Sequence, residues 1–126
     1  MPLPQWFSLY CDILGVPLSQ RNKKYDHMKK KAGRIGERFA REEWSLKGYK
    51  VIPKDQRKGG YDYLFVKREP YYSQNLPNQI YAEIKVNTSK QTRHQKEIEY
   101  EIINNGGTYW VTRYTVPLIL ADDMAG

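Results

Sequence analysis

Three residues in this chain have types and spacing suited to metal-assisted phosphoryl chemistry: Asp62, Glu83 and Lys85. In residues 80–86, Ile80, Ala82, Ile84 and Val86 alternate with Tyr81, Glu83 and Lys85. Successive side chains of a strand take opposite faces, so the apolar set shares one face and the two charges share the other. Charge on an otherwise apolar strand needs compensation, because burying it is costly. Asp62 opens a second strand candidate, residues 61–67, just after Gly59 and Gly60, and aligns with Leu64 and Val66. If the two strands pair, Asp62 and Glu83 meet at one end of a sheet. Two carboxylates that close repel unless a cation lies between them. Hard oxygen ligands of this kind suit Mg2+, with Mn2+ as a substitute, and the carbonyl of Ile84 offers a further ligand.

A plainer reading makes Asp62 a turn residue and Glu83 and Lys85 a surface pair on an edge strand. Two flanking residues bear on the choice. Glu37 falls at the margin of a helix face formed by Gly36, Ala40 and Trp44. It reads either as a solvent-exposed helix glutamate or as part of the site. Gln95 shares a helix face with Ile98 and Ile102. It is either a hydrogen bonder at the core edge or a residue that reaches Glu83 and Lys85.

The elements that must position these residues follow from periodicity and punctuation. Residues 4–14 form a short helix with Trp6, Leu9, Ile13 and Leu14 on one side, ended by Gly15 and Pro17. The lysine-dense residues 21–31 read as a solvated segment leading into a helix, or as a phosphate-contacting one. A long helix is expected over 27–47, with Met28, Ala32, Ile35, Phe39 and Leu46 as one apolar stripe and Gly36, Ala40 and Trp44 as a second line. Strands are expected at 49–53, 61–67, 80–86 and 108–114. The polar stretch 54–60 reads as a loop and 70–78 as a long hairpin connection. A helix over 91–105 turns Ile98, Ile102 and Ile103 inward, and Gly106-Gly107 close it. Residues 116–126 are a short helix or a docked tail. The fold class is α/β, with the order αβββαβ and a mixed central sheet packed between helices.

Bulk properties bound the partners. With 126 residues, 40% of them hydrophobic, the chain can bury one core without disulfides. The net charge of +7 and pI near 9.4 favour polyanions, which leaves nucleic acid or an anionic membrane surface. The single cysteine, Cys11, rules out an internal disulfide and a clustered Cys/His zinc site, and reads as a small buried hydrophobe in a reducing compartment. Residues 6–18 are not read as a leader, because they lack a basic start, carry Asp12 and are broken by Pro17. No run is long enough for a membrane span, so no membrane partner is expected.

Taken in order, Gly33-x-x-x-Glu37-Arg38, Lys47-Gly48-Tyr49, Asp62, Glu83-Ile84-Lys85, the Gln95 helix and Gly106-Gly107 resemble the PD-(D/E)XK nuclease superfamily. Within it, the pattern is similar to the archaeal Holliday junction resolvases and their viral and phage relatives. The resemblance implies a restriction-endonuclease-like fold and hydrolysis of a DNA phosphodiester that leaves a 5′-phosphate. It implies Asp62, Glu83 and the Ile84 carbonyl as ligands for one or two Mg2+ ions, with Lys85 orienting the attacking water. Glu37 would complete the site through a metal-bound water or a second ion, and Gln95 would position the lysine or the water. The sequence departs from the family at Tyr61, where a proline usually precedes the aspartate, and in the length of residues 69–79. Residues 1–30 are an extension, 31–114 the catalytic core and 115–126 a tail of one nuclease domain.

Arg34, Arg38, Lys54, Arg57, Lys58, Lys90 and Arg93 fall near this site and suit the DNA backbone. No recognition helix or zinc finger is present to read bases, so shape recognition of branched or double-stranded DNA is expected. The resemblance also implies a homodimer, with residues 109–114 and the apolar residues 116–120 as a surface for it. A cytoplasmic enzyme is expected, acting within the host cell if the source is a virus. Two other readings stay open. One is a restriction-like, nicking or end-processing nuclease of the same fold, and the other is a non-catalytic nucleic-acid-binding module.

Overall fold

The computed structural model describes residues 3–54, 61–68 and 76–123. The expected loop at 54–60 and connection at 70–78 fall largely outside them, and so do Arg57 and Lys58. Helix α1 (Gln5–Leu14) is followed by a 3-10 turn (Leu18–Gln20) and the 26-residue helix α2 (Arg21–Leu46). Strands β1 (Tyr49–Pro53), β2 (Tyr63–Lys67) and β3 (Gln79–Val86) come next. Helix α3 (Arg93–Asn104), strand β4 (Tyr109–Tyr114) and helix α4 (Leu118–Asp123) complete the chain.

The sheet is mixed, in the order β1-β2-β3-β4. β1, β2 and β3 are antiparallel neighbours, and β4 joins β3 in parallel. A parallel neighbour requires a crossover, and α3 supplies it. This is the expected α/β arrangement, with a four-stranded mixed sheet flanked by helices.

Helix α2 begins six residues earlier than expected. The lysine-dense stretch is its first turns, not a solvated lead-in. Lysine is a good helix former, and Met28 on these turns is fully buried against Phe7 and Cys11 of α1. Cys11 is thus the buried hydrophobe it was expected to be. The boundary expected at residue 30 falls inside this continuous helix.

The apolar stripe of α2 also differs. Phe39 is 40% and Leu46 89% exposed, while Met28, Ala32, Ile35, Gly36, Ala40 and Trp44 are buried. At 3.6 residues per turn the buried line shifts onto Gly36, Ala40 and Trp44 and leaves Phe39 and Leu46 outside. Ala40 and Trp44 pack on Tyr49, Tyr63, Phe65, Ile80, Ala82 and Ile84 to form the main core. Gly36 allows a close approach, because a Cβ there would lie 2.3 Å from Val86 Cγ2 and force that side chain to shift. Trp44 stacks on Phe65 with ring centroids 5.0 Å apart.

On the opposite face, α3 covers the sheet loosely. None of its residues is fully buried; Ile98 and Ile102 are half-buried, and Ile103, expected to face inward, is exposed. The tail is a helix docked on α2: Val116 and Ala121 are buried with Ala32 and Ile35. Val116 therefore belongs to the core and is not open to a dimer contact, although Ile119 and Leu120 are exposed. In β4, Tyr109 is buried and Trp110, Thr112 and Tyr114 are half-buried, so only Val111, Arg113 and the strand's edge remain accessible from the expected dimer surface.

Candidate active site

Alternation along β3 sends Ile80, Ala82 and Ile84 into the α2 core and Glu83 and Lys85 to the other face. Glu83 is fully buried. One of its oxygens, Oε1, accepts a hydrogen bond from the Tyr109 hydroxyl at 3.0 Å. The other, Oε2, has no hydrogen-bond partner among the described residues. A buried carboxylate oxygen in that condition carries an uncompensated desolvation cost, several kcal/mol for an ionised group.

Asp62 lies in the bend just before β2, which begins at Tyr63, two residues later than expected. Its amide donates to Ala82 O at 3.0 Å, and its Oδ2 accepts from the Ile84 amide at 2.7 Å. These two bonds hold the Asp62 carboxylate against the β3 backbone on either side of Glu83. The pairing anticipated from the sequence is thereby met.

Lys85 donates to Gln95 Oε1 at 3.0 Å. Gln95 is fixed by a capping box at the start of α3: its amide donates to Thr92 Oγ1 at 3.1 Å, and the Thr92 amide donates back to Gln95 Oε1 at 2.8 Å. Gln95 is both of the things the sequence allowed, a local hydrogen bonder and a contact of the site lysine. Glu37 is half-buried on α2 and lines a cleft together with Ile84 and Lys85.

Electrostatics tie these groups together. Burial pushes the Glu37 carboxyl above its ordinary value, the nearby Asp62 charge pushes it further, and Arg41 opposes. Burial also raises Asp62, against the Ile84 amide and the Lys85 charge. Glu83 is raised by burial first and then by Asp62 and Glu99, against the Tyr109 hydroxyl and Lys85. Three neighbouring carboxyls thus all resist ionisation. A bound cation would reverse that by favouring their charged forms.

No three Asp, Glu, His or Cys side chains among the described residues form a ready cage. Mg2+ is commonly held by one or two carboxylates, with water and substrate oxygens completing its shell. Asp62, Glu83 with its orphaned Oε2, and the Ile84 carbonyl fit that pattern. They do not fit a closed tetrahedral zinc site.

Five of the expected DNA contacts lie among the described residues, and all five are exposed. Lys54, whose amide donates to Asp62 O at 3.0 Å, is exposed beside it. Lys90 and Arg93 are exposed at the entry to α3, where Arg93 pairs with Glu97 at 3.4 Å. Arg34 and Arg38 are exposed on α2.

Three neighbours went unnoticed in the sequence. Tyr109 was grouped with a dimer surface, although alternation after Gly107 places it on the Glu83 face. Arg41 is one helical turn beyond Glu37, a spacing that could have marked it. Glu99 sits one helical turn after Gln95 and is held by Gln91 Nε2 at 3.2 Å. No protein-family model, curated protein or solved structure matches this chain.

Proposed function

We propose that this chain is a Mg2+-dependent DNA endonuclease that recognises branched DNA by shape, resembling a Holliday junction resolvase. The observation that carries the reading is Glu83, a fully buried carboxylate with one oxygen unsatisfied among the described residues, set beside Asp62 and Lys85. A purely structural role would leave the desolvation of that oxygen without an offset. The order α2-β1-β2-β3-α3-β4 and the mixed sheet support the finer reading of a restriction-endonuclease-like core. The net charge of +7 suits a polyanionic substrate.

Asp62, Glu83 and the Ile84 carbonyl would hold the ion. When bound, Mg2+ supplies Lewis acidity at the scissile phosphate and lowers the pKa of the attacking water. Lys85, pinned by Gln95, neutralises charge that builds on the phosphate oxygens. Gln95 keeps the lysine in place before substrate arrives, so the positioning cost is met in folding. Glu37, with its raised pKa, stands ready to exchange a proton with water at the rim of the cleft. Water oxygen bonds to phosphorus, the bond to the 3′ oxygen breaks, and that oxygen leaves as a hydroxyl. The 5′-phosphate stays on the other fragment. A homodimer, which would place two cuts symmetrically, and a cytoplasmic setting belong to the same reading.

The test is a panel of four-way junction, flap, linear duplex and single-stranded DNA, with and without Mg2+. Strong preference for the junction is expected. Preference over duplex of only a few-fold would replace the junction reading with a restriction-like or end-processing nuclease. Tight, salt-sensitive binding with no cutting in Mg2+ or Mn2+ would replace it with a binding module.

A further inference from the structure

Beside Glu37 and Lys85 lies a cleft of about 410 Å³ between α2 and the turn that follows β3. The volume is in the range of sites that accept small ligands. Lys29, Gly33 and Glu37 line it from α2; Lys85, Asn87 and Ser89 line it from the other side.

The turn wall is rigid. Asn87 adopts a left-handed φ of 57°, a conformation asparagine tolerates better than most residues. Its side chain bonds Val116 in both directions, donating to the carbonyl at 2.8 Å and accepting from the amide at 2.7 Å. Arg113 donates to Asn87 O at 2.7 Å and to Ser89 O at 2.8 Å. A wall braced this way is set before any ligand arrives.

The helical wall holds the informative residue. Gly33 sits in the middle of α2, where glycine is the poorest helix former after proline. Its backbone is not in the left-handed region. A Cβ built on it meets nothing within 4 Å among the described residues, unlike Gly36 one turn along, where a Cβ would lie 2.3 Å from Val86 Cγ2. Packing among the described residues thus does not call for glycine at 33. The cleft does, since a side chain there would project into it. Lys29 and Lys85 bring two ammonium-bearing side chains to the lining, and the Lys29 ammonium pairs with Asp26 at 3.5 Å and lies over the Tyr25 ring.

We infer that this cleft seats a phosphodiester of the DNA backbone adjoining the one that is cut, and that Gly33 is kept bare to admit it. The inference rests on the nuclease reading for the identity of the strand. It is tested separately by binding in EDTA, where nothing is cut.

Affinity for a fluorescent four-way junction and a linear duplex is measured for the parent, Gly33→Ala, Gly33→Leu and Lys29→Gln, alongside thermal midpoints. Both glycine variants are expected to melt at or above the parent. Gly33→Leu should bind about tenfold or more weakly and Gly33→Ala less so, while Lys29→Gln should lower the salt slope by about one. Parent-like affinity in Gly33→Leu at a parent-like midpoint overturns the inference, as does a parent that binds neither DNA. If Gly33→Leu melts early, Gly33→Ala and Lys29→Gln decide together: weakened binding in both supports the subsite, and parent-like binding in both removes it. A parent that binds but does not cut in Mg2+ sinks the nuclease reading and leaves this comparison fully readable.

Discussion

Lys85 Nζ donates to Gln95 Oε1 at 3.0 Å, and that same oxygen accepts the Thr92 amide at 2.8 Å. One amide oxygen therefore both caps α3 and fixes the lysine of the candidate site. Removing it should have two separable effects. Thr92→Ala is expected to cost about 1 kcal/mol of stability through the cap alone and to leave cleavage near the parent rate. Gln95→Ala should lose a similar amount of stability and also cut about 10–100-fold more slowly, as loss of an orienting partner typically does. Equal cleavage by the two variants would reduce Gln95 to a cap.

The buried carboxylate makes a prediction with a definite sign. Burial raises Glu83 in the folded state above its ordinary value of 4.5, so the native state binds more protons than the unfolded one between the two values. Its contribution to stability is fully present below the ordinary value and is lost as pH rises through the folded value. Glu83→Gln, which keeps an acceptor for Tyr109 and removes the charge, should therefore gain on the metal-free parent as pH rises through that window. Added Mg2+ should close the gap by stabilising only the parent. Thermal midpoints of both proteins between pH 4 and 8 check this, and a pH-independent gap would contradict it.

Much of this site could be read from the sequence, for identifiable reasons. The period of two in Ile80–Val86 placed Glu83 and Lys85 on one face without knowledge of any partner strand. Asp62 is legible because it opens a strand candidate in a sequence preceded by two glycines. Its bond to the Ile84 amide was not legible, since it depends on how that bend meets β3. Tyr109 escaped for a similar reason. Its contact with Glu83 follows from the parallel register, in which Tyr109 pairs with Tyr81 and Val111 with Glu83. The start of α2 was misplaced because a lysine run looks solvated until α1 is seen to cover Met28. The loose fit of α3, which leaves Ile103 exposed, likewise depends on tertiary packing and not on the helical period.

Gly36 and Val86 set the distance between α2 and the sheet. Gly36→Ala puts a Cβ within 2.3 Å of Val86 Cγ2 and should destabilise the protein by about 1–3 kcal/mol. Adding Val86→Ala should restore part of the loss by making room. Denaturant midpoints of the single and double variants measure the coupling, and simple additivity would argue against the contact.

The docked tail has a pH response of opposite sign. Burial pushes the Asp122 carboxyl up, but hydrogen bonds from Tyr10 and Lys24 and the charges of Lys24 and Lys31 outweigh it and hold it below the ordinary value of 3.8. The Tyr10 hydroxyl lies 2.8 Å and Lys24 Nζ 3.2 Å from Asp122 Oδ2. A lowered carboxyl contributes stability above its unfolded value and loses it as pH falls through the folded one. Asp122→Asn should cost about 1 kcal/mol at neutral pH, and the difference should vanish below the folded value. A difference that persists in acid would assign the contribution to packing instead.

A metal-dependent nuclease centre at Asp62, Glu83 and Lys85 is tested by cleavage of a four-way junction by the parent and Glu83→Gln side by side. Cutting by the parent should require Mg2+, leave 5′-phosphate ends and fall by about 10²–10³-fold or more in the folded variant. Undiminished cutting by Glu83→Gln, or equal cutting by the parent in EDTA, would contradict it.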